Sequence, residues 1–198
     1  MSGAIGFSVK DISKSKIQEL FALSDSEYVD LLRDRPNKKD QYKYPFFRPL
    51  RAPLKRQGRG KGGFLAFMFV DFILLEIMIT LKLQGMSRDC GVFLRRLFLT
   101  LMAAPFEKHE NILSPDFSAK TKWTLKIDMD ASGNQRMAIC KDGAELSHKV
   151  SHLEIALKDE NGLCRGRPQD FILDDSTFCL SIDLNKIHKK VVALYQSI

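Results

Sequence analysis

The residues best equipped for chemistry are cations, and they are crowded into one stretch. Lys43–Gly63 reads "KYPFFRPLRAPLKRQGRGKGG", with seven Lys/Arg, no acid, three prolines and four glycines. Lys43, Arg48, Arg51, Lys55, Arg56, Arg59 and Lys61 are the candidate DNA-binding residues. Guanidinium and ammonium groups pair with phosphate oxygens, and each pairing releases a condensed counterion. Tyr44, Phe46 and Phe47 beside Arg48 and Arg51 add rings that could stack on bases or anchor the loop to the core. Between Arg33 and Lys61 eleven Lys/Arg face two acids, Asp34 and Asp40, a local +9. The chain as a whole carries +7, so the remainder is −2 and the basic character belongs to this segment alone. A patch that concentrated suits a phosphate backbone or an anionic lipid surface, the plainer alternative being a solvated loop.

The other constellations are weaker. Glu145, His148 and His152 share one side at helical spacing and could ligate a metal, but the surrounding "SHKVSHLEIALKD" shades into a strand, and surface histidines explain them better. Asp128 and Asp130 before "ASGN" imitate part of a calcium loop without the Glu that closes one. "GRGKGG" lacks the residue order of a nucleotide-phosphate loop. No Ser/His/Asp or Cys/His grouping stands out, so we expect no enzyme, no metal and no cofactor. Cys90, Cys140, Cys164 and Cys179 are dispersed without a Cys-x-x-Cys pair, which suits a reducing cytoplasm rather than a disulfide framework. The first residues lack the continuous apolar run of a cleavable signal.

Those cations need elements to position them. Ser8 is expected to cap a helix in which Ile12, Ile17, Leu20 and Phe21 recur at helical spacing. Ser24 or Ser26 caps a second, with Tyr28, Val29, Leu31 and Leu32 as its apolar side, and Pro36 ends it. The short "FALSDSE" between them allows a tight helix–turn–helix corner. Prolines and glycines forbid long regular structure from Asn37 to Gly63, leaving short extended pieces at Tyr42–Phe47 and Gly63–Phe67 that could pair as a hairpin.

Phe64–Leu83, "FLAFMFVDFILLEIMITLKL", poses the sharpest choice. Across a membrane its two carboxylates would cost ~5–7 kcal/mol together, close to what the apolar residues return. The pattern favours a buried helix, with Asp71 as a capping acid at its start and Arg59 or Lys61 as partner. Glu76 then needs a cation, and Arg88, Arg95 and Arg96 are the nearest by sequence. Gly85 stops this helix and Ser87 can cap another, with Val92, Phe93, Leu97 and Leu101 on one side.

Beyond Pro105 the chain turns polar, and 106–120 reads as a linker. Trp123, Leu125, Ile127 and Met129 then alternate with polar residues, as do Leu153, Ile155, Leu157 and Phe178, Leu180, Ile182, Leu184. Met137 and Ile139 begin a return strand, "KDG" at Lys141–Gly143 is a turn, and Asp183 or Asn185 opens a last helix with Ile187, Val191, Leu194 and Tyr195 inward.

With these elements placed, three stretches carry a family resemblance: "GFSVKDIS" (Gly6–Ser13), "ALSDSEYVDLLRD" (Ala22–Asp34) and "FVDFILLEIMITLKLQGMSRDCGVFLRRLF" (Phe69–Phe98). The first half resembles a MerR-type winged-helix DNA-binding domain, through Phe69–Asp71, Leu81–Gly85 and Ser87 in that order. The resemblance implies a dimeric transcriptional regulator that binds double-stranded DNA. Asp25, Glu27, Asp30 and Asp34 lie on the would-be recognition helix and oppose phosphate, which shifts the expected affinity to the basic segment. The expected fold is therefore α+β: a winged-helix-like domain over 1–105, a linker over 106–120, and a β-rich partner or sensing domain over 121–198 closed by a C-terminal helix. The expected protein is a cytoplasmic homodimer, bound to no membrane, with a protein partner for the second domain. The competing class is a non-enzymatic interaction or assembly protein whose basic arm docks on an acidic protein.

Overall fold

A computed structural model describes residues 9–32, 65–85, 89–103, 106–118, 120–129, 135–146, 157–158, 164–165 and 178–198. The fold is of mixed helix and sheet. It opens with a strand, β1 (Val9–Ile12), and not with the helix expected from Ser8. Four residues of alternating character gain more from pairing than from a helical start, because a partner strand lies within reach. That partner is β2 (Leu65–Met68), antiparallel, with Val9 opposite Met68 and Ile12 opposite Leu65. Gly63–Phe67 was expected to pair with Tyr42–Phe47, which lies outside the described residues; the ladder observed joins its end to β1. Between the two strands stand α1 (Lys14–Leu20) and α2 (Asp25–Leu32).

The long apolar run divides. Its first residues form β2, and the helix α3 spans Phe69–Leu83. Fifteen residues at 1.5 Å each give about 22 Å, short of a hydrocarbon core of about 30 Å. Among the described residues no helix is long and apolar enough to cross a membrane. Instead Phe69, Val70, Phe72, Ile73, Leu74, Leu75, Ile77, Met78 and Leu81 are all buried, each large side chain contributing roughly 1.5–3 kcal/mol. Gly85, at φ 74°, ends α3 where a side chain would strain the backbone. The following helix, α4 (Asp89–Ala103), buries Leu94, Phe98 and Leu101, with Leu97 half-buried.

Residues 106–118, expected as linker, bury Asn111, Ile112, Leu113 and Ser114. Asn111 reaches both ways: its Nδ2 donates to the Leu101 carbonyl at 3.4 Å and its Oδ1 accepts from the Leu113 amide at 2.9 Å. It thereby satisfies a carbonyl at the end of α4 that the helix leaves open.

The second half contains β3 (Trp123–Met129), β4 (Gln135–Lys141), β5 (Ala144–Glu145), the short pair β6 (Leu157–Lys158) and β7 (Cys164–Arg165), then β8 (Phe178–Asp183) and α5 (Leu184–Gln196). The main sheet runs β5-β4-β3-β8, all antiparallel, with Leu125 opposite both Ile139 and Ile182. Asp142 and Gly143, both at positive φ, make the tight β4–β5 turn that an Asp-Gly pair favours. Asp183 caps α5 by accepting from the Lys186 amide at 3.1 Å. Asn185, the other candidate cap, instead bridges strand and helix. It accepts from the Trp123 amide at 2.7 Å and donates to the Thr121 carbonyl at 2.9 Å. One continuous core runs from Ile12 and Ile17 through α3 to Trp123, Leu184 and Val191.

Candidate nucleic-acid interface

The helix pair is built from side-chain caps. Ser13 Oγ accepts the Lys16 amide at 3.2 Å and starts α1, whose Ile17 is fully buried. The chain leaves α1 through Ala22, a non-glycine at φ 51°, with the Leu23 amide returning to the Gln18 carbonyl at 2.9 Å. This corner lacks the glycine such a turn prefers, so an exposed alanine holds the left-handed conformation at a cost of roughly 1–2 kcal/mol. Ser24 and Glu27 then form a reciprocal capping box. The Glu27 amide donates to Ser24 Oγ at 3.3 Å, and the Ser24 amide donates to Glu27 Oε2 at 2.8 Å.

Each acid of α2 has a structural partner. Asp25 Oδ1 lies 2.6 Å from Lys14 Nζ and accepts from Gln18 Nε2 at 2.8 Å, tying α2 to α1. The hydrogen bond from Lys14, then that from Gln18, hold the Asp25 carboxyl below its ordinary pKa. Hydrogen bonds from the Ser24 hydroxyl and then its amide do the same for Glu27. Asp30 sits 3.7 Å from Lys82, which joins α2 to α3. Even so, residues 9–32 carry three lysines against five acids, a net of −2. The corner itself presents no excess of positive charge.

Below the pair lies the β1–β2 ladder. Lys10 on β1 donates to the Tyr195 carbonyl of α5 at 3.0 Å, and its ammonium stands 4.2 Å from the Tyr195 ring centre. The seven candidate phosphate ligands, Lys43, Arg48, Arg51, Lys55, Arg56, Arg59 and Lys61, lie outside the described residues, as do Tyr44, Phe46 and Phe47. Their segment is bounded by Leu32, which ends α2, and by Leu65, which begins β2.

Two expected ion pairs resolve differently. Asp71 is fully buried and caps α3, its Oδ2 accepting from the Met68 amide at 2.8 Å. Its expected partners Arg59 and Lys61 lie outside the described residues. Glu76 pairs with Lys190 of α5, whose ammonium holds its Oε1 at 2.5 Å, while Arg88 and the Arg96 side chain lie outside the described residues. α5 packs on α3 and so brings a cation from the far end of the chain, a pairing that nearness in sequence does not suggest.

Among the described residues no group of three His, Cys, Asp or Glu side chains is arranged to hold a metal ion. Glu145 pairs with Arg136, while His148 and His152 lie outside the described residues. Asp128 is buried on β3 and pairs with Lys126 at 3.1 Å. Its hydrogen bond with Cys179, aided by burial, raises the thiol's pKa and keeps it protonated.

Sequence reasoning did not single out His188. It is 6% exposed, its Nε2 lies 2.8 Å from the Ser114 carbonyl, and its ring meets Phe69 and Phe117 edge-on at 5.3 and 5.1 Å. Its position one residue after Ile187 on an amphipathic helix was the available signal. A scan of protein-family models and searches of curated proteins and solved structures found no match to this chain.

Proposed function

We propose that the protein is a DNA-binding transcriptional regulator, its first half winged-helix-like and its affinity supplied mainly by the basic segment. One observation carries this reading. A helix–corner–helix and a segment of local +9 are both enclosed by a single antiparallel ladder, in the order β1, α1, α2, basic segment, β2. A helix pair between two paired strands supports the winged-helix reading, in which the basic stretch serves as the wing. The partner acids on α2 support the same division of labour, since a corner of net −2 offers phosphate little attraction. Lys43, Arg48, Arg51, Lys55, Arg56, Arg59 and Lys61 then track the backbone of duplex DNA, and the protein acts as a homodimer in the cytoplasm. The test is binding of purified protein to mixed-sequence duplex by fluorescence anisotropy at low salt. Saturable binding that weakens as salt rises is expected, and no binding at low salt defeats the reading.

The acidic corner also favours a second reading, an assembly protein whose basic segment docks on an acidic protein. Nucleic acid co-purifying before any salt wash, seen as a raised 260/280 nm ratio, is expected only on the first.

A further inference from the structure

We propose that α5 is a latch held by neutral His188, and that protonating this ring releases α5 and with it the anchor on β1. The geometry makes His188 a junction of three segments. Its ring is carried by α5, packs edge-on against Phe69 at the start of α3, and binds the Ser114 carbonyl of the 106–118 segment. Phe117 closes the other side. With Ser114 O as acceptor, Nε2 carries the proton and Nδ1 is the bare nitrogen of a neutral ring.

A second proton would place a cation where, among the described residues, no charged group pairs with the ring. The ionisable groups of α3 are Asp71, whose Oδ2 accepts the Met68 amide, Glu76, held by Lys190, and Lys82, beside Asp30. α5 itself contributes Lys186, Lys189 and Lys190, all exposed cations that oppose further positive charge. The 106–118 segment carries Glu107, Lys108, His109, Glu110 and Asp116. Among the described residues no hydrogen bond or ion pair joins any of these to the ring. Burial lowers the ring's pKa from the ordinary 6.5, and the Ser114 carbonyl offsets only part of that. The folded state therefore binds the proton less readily than the released one. Docking of α5 is at full strength above pH 6.5 and is lost progressively as pH falls below it toward the folded value.

Release reaches the small ladder through Lys10. Its ammonium holds both the carbonyl and the ring of Tyr195, in the last turn of α5. Freed α5 takes that anchor away from β1, the strand paired with β2. The latch does not depend on what the basic segment binds.

Hydrogen exchange of the full chain, corrected for intrinsic pH dependence, tests this between pH 7.5 and 5. Amides of α5 and β1 should exchange up to about tenfold faster per pH unit below 6.5, the limit for one linked proton, with β3 amides other than that of Trp123, which Asn185 of α5 holds, little changed. His188→Gln keeps a donor for Ser114 and cannot be protonated, so it should remove the acceleration. Equal acceleration of β3, or none in α5, overturns the latch. If the variant does not fold, the wild-type imidazole titration by NMR decides. A His188 midpoint below the ordinary 6.5 supports the latch, and one at or above it overturns it.

Discussion

Ala22 and the Glu76–Lys190 pair show how much single side chains decide. Ala22 at φ 51° occupies backbone space that only glycine enters freely, and it is exposed, so no packing is lost on shortening it. Ala22→Gly should stabilise the chain by about 0.5–1 kcal/mol in urea unfolding, after allowing for glycine's freer unfolded state. Glu76 and Lys190 are unequal partners: the glutamate side chain is 12% exposed and the lysine 58%. Removing the lysine strands a nearly buried carboxylate, whereas removing the carboxylate leaves a cation already in water. Lys190→Ala should therefore cost roughly 1–3 kcal/mol and Glu76→Leu less than about 1 kcal/mol, measured by the same unfolding curves. Equal losses would contradict that asymmetry. The caps were open to sequence reading, since Ser24-x-x-Glu27 and Asp183 announce themselves by type and spacing. The Glu76 partner was not, because no local rule links residue 76 to residue 190.

At the scale of elements, period-two alternation told the truth about β3. Trp123, Leu125 and Ile127 are fully buried, and the register sets Leu125 and Ile127 opposite apolar residues of both β4 and β8. α5 was equally legible from Ile187 and Val191, both buried. β1 was not, because the helical spacing of Ile17, Leu20 and Phe21 draws the helix start upstream and the strand that competes for Val9–Ile12 arrives only at Leu65. On α4 the expected Leu101 is buried and Leu97 half-buried, joined by Leu94 and Phe98, while the Val92 and Phe93 side chains lie outside the described residues. Asn185 yields a test at this scale. It serves two backbone groups at the joint of β3 and α5, whereas Asp183 serves one amide of α5. Asn185→Ala should cost about 2 kcal/mol and Asp183→Ala about 1 kcal/mol, read from thermal unfolding. A larger loss at Asp183 would mean that the helix start, not the joint, limits stability.

For the whole molecule, charge and core divide the chain differently. The core is continuous from β1 through α3 to α5, and Lys10, Glu76 and His188 tie the C-terminal helix to earlier segments. Charge is segregated instead: the stretch from Arg33 to Lys61 is +9 and the remainder −2. The α+β class and most elements could be read from periodicity and caps. The candidate site could be read only as composition, because cations on a Pro/Gly-rich segment follow no period. On the proposed reading these cations, and not the α1–α2 corner, give the protein its hold on DNA. The most direct measurement compares salt dependence for the wild type and for Lys55, Arg56, Arg59 and Lys61 replaced together by Ala. Each phosphate contact contributes about −0.9 to the slope of log affinity against log salt. The variant's slope should be shallower by about 3–4 units; an unchanged slope with intact binding would contradict the claim.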